Sequence, residues 1–193
     1  VAERLTRWRL DDHVQLAFLT GFGAYLVMHL LLWKPIFMHV MGHELTHAFW
    51  AFVLGGRIRS LQVSEAGGQV TLSKTNFFIA LAPYFLPFYT FLALPIYLVA
   101  APAFKPALAL VVGFTLAFHV ALTLHSLRDR QSDIHEVGVF FSLTFIYAMN
   151  LLVLVLVLWV LAPEVAELPE VLSETWMRLR ALLAWLLTLG GAS

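Results

Sequence analysis

The chain has no cysteine and few charges, and its basic residues are mostly arginine, with only three lysines. The lack of cysteine excludes disulfide staples and thiolate metal ligands. Charged residues make up 12% of the 193, about half of what a soluble domain carries. With 61% hydrophobic residues and a mean hydropathy of +0.83, lipid is the solvent that suits this composition. No polar stretch is long enough for a separate soluble domain, so residues 1–193 are expected to form one membrane domain. Net charge is zero, which gives no electrostatic reason for a nucleic-acid partner. Val1 to Asp12 lacks the basic-then-apolar order of a cleavable leader, so the membrane segments themselves are expected to direct insertion. There is no internal repeat, and the arginine, alanine and leucine usage hints at a GC-rich bacterial genome.

Apolar runs predict an all-α polytopic membrane protein with spans over about 15–33, 36–54, 76–101, 106–126 and 137–161. A sixth segment, 174–189, reads as a short span or an interfacial helix. Lys34-Pro35 interrupts the first two runs, and Gly55-Gly56 ends the second as a helix C-terminus would. From Arg57 to Lys74 the texture changes. Leu61, Val63, Val70 and Leu72 alternate with polar residues around Gly67-Gly68, the pattern of a β-hairpin with a Gly-Gly turn. Pro83, Pro87 and Pro95 interrupt the third span, which is expected to be kinked or discontinuous and to face protein or a wet cavity. Leu127 to Glu136 reads as a polar loop.

With five alternating spans, Arg4, Arg7, Arg9, Arg57, Arg59, Lys74, Arg128 and Arg130 share one side, and only Lys34 and Lys105 fall in loops on the other. The positive-inside rule makes the first side cytoplasmic, the N-terminus included.

The second span contains His43-Glu44-Leu45-Thr46-His47, the HExxH pattern. Four residues of helix advance about 400° and 6 Å, so both imidazoles lie on one face and can bind one ion. Glu44 lies within reach of a water on that ion, the arrangement of a metal with a general base. A carboxylate at the centre of a span costs about 3 kcal/mol on insertion scales, and a functional role is the default there. The bland alternative is a polar cluster that joins helices by hydrogen bonds. Catalytic zinc keeps three protein ligands and one open position. Candidates for the third are Asp133, His119, His125, His135 and Glu136. Asp133 is preferred because a carboxylate completes a His-His pair in many catalytic sites, although Ser132-Asp133 before an apolar run also suits a helix cap. His125 is next, and His135 also stays open. His39 lies too far from His47 along the axis to share its ion, and a packing or supporting role is expected for it, as a packing role is for His29.

In this order of features the chain resembles the site-2 protease family of intramembrane zinc metalloproteases. The likeness covers roughly Ile36 to Val137: HExxH in an early span, Gly55-Gly56, a hairpin-like segment, a proline-interrupted span and a later Asp near a membrane face. The resemblance implies hydrolysis of peptide bonds in membrane-anchored protein substrates, with one zinc per chain held by His43, His47 and Asp133 and with Glu44 activating water. The family's usual Asn-Pro…Leu-Asp-Gly context is replaced here by Gln131-Ser132-Asp133-Ile134, as in a divergent bacterial branch. A bacterial cytoplasmic membrane is the expected location. The oligomeric state is left open.

The hairpin 57–73 would offer an edge strand beside the metal, on which an extended peptide could add by main-chain hydrogen bonds. A metal transporter is the first competing reading, but it needs polar residues at several depths on several spans, and the fifth span offers little beyond Ser142, Thr144 and Asn150. A non-catalytic metal-binding relative is the second, and the intact Glu44 argues against it. Membrane di-iron oxygenases need several histidine boxes, and this chain has one.

Overall fold

The computed structural model describes residues 12–32, 34–127 and 132–163, with 173, 174, 176, 177, 180 and 181. Most of the segment expected over 174–189 lies outside these residues, as do Arg4, Arg7, Arg9, Arg128 and Arg130. By its internal contacts the chain divides into two units, Arg9–Val153 and Val1–Trp8 with Leu154–Ser193. The site residues lie in the first.

The described residues are mostly helical, with one two-stranded antiparallel hairpin. Helix α1 (His13–Leu31) begins at Asp12, whose carboxylate accepts the Val14 and Gln15 N–H groups at 2.8 and 3.0 Å, satisfying two of the donors a helix start leaves free. Helix α2 (Ile36–Val53) stops where the glycine pair stands. Gly55 takes φ +79°, and the Gly56 N–H reaches back to Ala51 O at 2.7 Å, a Schellman ending.

Strands β1 (Ile58–Ser64) and β2 (Gly67–Leu72) follow, with Leu61 opposite Val70 and Ser64 opposite Gly67. The turn is Glu65-Ala66, not the glycine pair. Because Ser64 pairs with Gly67, only two residues remain to turn the chain, and Gly67-Gly68 open β2. Gly67 leaves the turn with φ +143°, a conformation that favours glycine.

The third expected span is broken in two. Helix α3 (Phe77–Leu81), capped by the Asn76 side chain, runs into a 3₁₀ turn (Ala82–Tyr84), and helix α4 (Phe88–Val99) departs at 75° to it. Pro83 and Pro87 lie in the break. A second 3₁₀ turn (Pro102–Phe104) leads into α5 (Lys105–Ser126). The end of the expected polar loop is instead a short helix, α6 (Ser132–Val137). It has an apolar residue to bury: Ile134 packs with Leu81, Ala82, Tyr84, Phe85 and Ile146. Gly138, at φ +106°, then separates α6 from α7 (Val139–Leu161).

Among the described residues, three helices are long and apolar enough to cross a membrane: His13–Leu31, Pro102–Ser126 and Val139–Leu161, with a fourth span if the bent pair counts as one. This is fewer than the five or six expected. Helix α2 has the length, at 18 residues, but His39, His43, Glu44 and His47 dilute its apolar character.

Helices α1 and α5 pack backbone against backbone. A Cβ on Gly21 would collide with the Leu110 carbonyl, and one on Gly113 with the Phe18 carbonyl. Small residues at crossing points give membrane helices this close approach. Fully buried Tyr25 meets Phe114 and Phe118 edge-on, at ring separations of 5.1 and 5.5 Å.

Candidate metal centre

One turn of α2 separates His43 from His47, and their Nε2 atoms lie 3.1 Å apart. Helix α6 brings Asp133 up to the same point, with Oδ2 3.7 Å from His43 Nε2 and 3.6 Å from His47 Nε2. One donor atom from each of the three fits within 4.8 Å of the others, and among the described residues this is the one such group of His, Asp and Glu that could hold a metal ion. Ligands about 2.0–2.2 Å from a tetrahedral zinc stand about 3.3–3.6 Å from one another. The observed separations bracket that value, and two imidazoles with one carboxylate are a known zinc donor set. The residues therefore fit the ion.

Comparison of the chain with family models, with curated proteins and with solved structures finds no match.

Three supports orient the donors. The first acts on His47, whose Nδ1–H donates to the Ile79 carbonyl at 2.8 Å, leaving Nε2 as the free lone pair. Metal-binding histidines are commonly fixed through their second nitrogen in this way. The Ile79 carbonyl is available because its helical partner would be the N–H of residue 83, which is proline. The sequence signal for this support is a proline four residues after Ile79, which from sequence alone marks only an interruption of the span.

The second support is Tyr84, whose hydroxyl donates to Asp133 Oδ2 at 3.1 Å. The third support meets the candidate base. Glu44 is 8% exposed, and the Val70 N–H of β2 is directed at its carboxylate. Gly68, two residues earlier, lies so close that an added Cβ would stand 2.6 Å from Glu44 Cγ and 2.6 Å from Val40 Cγ1.

An N–H directed at Glu44 cannot also pair with β1. Along a strand these groups alternate sides, so Gly68, Val70 and Leu72 present their backbone groups on the free edge of β2, towards the site. Leu61, which faces Val70, and Val63, which faces Gly68, belong to the opposite edge.

His119, His125, His135 and Glu136 do not join the donor cluster. His39 is engaged elsewhere, its Nε2 lying 2.8 Å from Ser126 Oγ, and the His29 ring lies 3.3 Å from the Tyr25 hydroxyl.

Proposed function

We propose that the chain is a zinc-dependent intramembrane endopeptidase of the site-2 type, acting on membrane-anchored proteins. The observation that carries this reading is the convergence of His43, His47 and Asp133 donor atoms within 4.8 Å, with Glu44 on the same helix turn. When bound, zinc would supply Lewis acidity, making a water acidic and polarising the scissile carbonyl. Glu44 takes the proton from the attacking water and passes it to the departing amine as the C–N bond breaks. His47 keeps its Nε2 free through the Ile79 carbonyl, and Tyr84 holds the carboxylate of Asp133. A substrate unwound into an extended strand adds along the free edge of β2 and runs past Glu44. The break between α3 and α4 keeps irregular backbone on the protein side of the bilayer, where such backbone is tolerated.

In this reading α2 also crosses the membrane, giving five spans, with a sixth if 174–189 crosses. The N-terminus and the hairpin lie on the cytoplasmic side of a bacterial membrane.

The test is metal content of the detergent-purified chain, measured by mass spectrometry for wild type and Asp133→Ala. One zinc per chain, lost in the variant, supports the site. Zinc retained without Asp133 moves the third ligand to His125 or His135, and no zinc after gentle purification removes the enzyme reading. Membrane proteomes from cells carrying wild type or Glu44→Gln then identify substrates: those cut only by wild type. An identical pair of proteomes counts against proteolysis.

A further inference from the structure

Behind the metal ligands lies a cavity of about 20 Å³ whose lining includes His39, His43, Thr46, Tyr89, Thr115 and His119. That is room for one water, which needs about 10–15 Å³ and two to four polar partners. His119, on α5, is only 8% exposed, and its Nε2 is buried with no hydrogen-bond partner among the described residues. Buried polar atoms are nearly always paired, so this one calls for a ligand.

The tautomer follows from Asn150 on α7, whose side chain interacts with the His119 ring. Its amide hydrogens go to the Tyr84 and Ile146 carbonyls, each at 2.9 Å. What Asn150 has left for His119 is its carbonyl oxygen, an acceptor. The His119 ring therefore donates from Nδ1, and Nε2 carries a bare lone pair that needs a donor.

No lining hydroxyl has a hydrogen to give it. Thr46 gives its hydroxyl hydrogen to Gly42 O at 2.7 Å and Tyr89 to Met38 O at 2.8 Å. Thr115 gives its own to Val111 O at 2.9 Å, and His39 is engaged with Ser126. The hydroxyl oxygens of Thr46, Tyr89 and Thr115 are left as acceptors. His43 has a donor to spare. With Nε2 facing the metal position, its proton sits on Nδ1, which has no hydrogen-bond partner among the described residues.

We propose that the cavity holds one fixed water that accepts from His43 Nδ1–H and donates to His119 Nε2, with its second hydrogen on a lining hydroxyl. His47 has a backbone carbonyl for its second nitrogen, and His43 has this water. His119, oriented by Asn150, is thus a positioning residue that acts through the water on a metal ligand. The inference rests on the metal-centre reading. Loss of such outer partners typically weakens metal binding about 10–100-fold.

The test uses the full chain in detergent, with zinc affinity measured by competition with a chromophoric chelator. His119→Leu keeps the bulk and removes the acceptor, and zinc binding should weaken about 10–100-fold. His119→Gln, which restores an acceptor oxygen, should recover most of the loss. A leucine variant that binds zinc as tightly as wild type overturns the proposal. A second measurement needs no variant and no zinc: ¹⁵N-histidine NMR of the metal-free wild type. A proton on His119 Nδ1 and a water cross-peak at the ring are expected, and a proton on Nε2 or no such cross-peak overturns the proposal. The NMR result decides if the leucine variant does not fold. If wild type binds no zinc, the metal-centre reading fails while the NMR result still tests the water site.

Discussion

Pro83 stands four residues after Ile79, and the hydrogen bond that its missing N–H would have made to the Ile79 carbonyl is made by His47 Nδ1 at 2.8 Å instead. A helix break and the support of a donor in the candidate metal centre are thus one feature. Pro83→Ala restores an N–H that competes for that carbonyl. Zinc affinity, read by chelator competition, should fall about 10–100-fold. Unchanged affinity would mean that the carbonyl does not hold the ring.

Tyr84→Phe removes the hydroxyl that donates to Asp133 at 3.1 Å. Hydrogen bonds to charged groups contribute about 1.5–3 kcal/mol, so zinc should bind at least about tenfold more weakly. Calorimetric titration of zinc into both proteins checks this, and equal affinities would remove Tyr84 from the site.

Gly68→Ala places a methyl group 2.6 Å from Glu44 Cγ, so β2 must move away from the base. The ligands are untouched, and zinc content should stay at the wild-type level. Cleavage of an identified substrate should drop by about tenfold or more, equivalent to about 1.4 kcal/mol of barrier. Full activity would show that β2 need not lie where it does. Proline at Val70 probes the same edge, whereas proline at Leu61 or Val63 probes the opposite one.

Gly113→Val forces α5 off the Phe18 carbonyl. Overpacking of this kind costs about 1–3 kcal/mol, visible as earlier thermal unfolding in detergent. Gly23→Val is the control, since nothing lies within 4 Å of a Cβ there. It should unfold with wild type.

What the sequence revealed depends on whether the cause was local. The row of His43 and His47 follows from helical period alone, and Gly55-Gly56 stops α2 through its own backbone conformation. The hairpin was legible from alternation, but its turn was not, because Ser64 pairing with Gly67 decides which two residues turn. Asp133 could be read only as one of several candidates, since its place depends on Ile134 burying against Leu81 and Phe85. The interruption of the third span was legible from its prolines, but the 75° angle of the break was not, because prolines mark where a helix fails but not which way the chain then goes. Asn150 passed as a stray polar residue of a span, and its contacts with Tyr84 O and His119 exist only once three helices meet.

The meeting of α1 and α5 at Gly21 and Gly113 has a consequence for descent. A lineage can exchange the lipid-facing side chains of both helices for others of similar character and lose little. It cannot easily exchange these two hydrogens, because each is met by a carbonyl of the other helix. Drift is barred at positions that carry no chemistry at all. A distant relative of this chain should show its kinship in two small residues at those places as much as in the histidines.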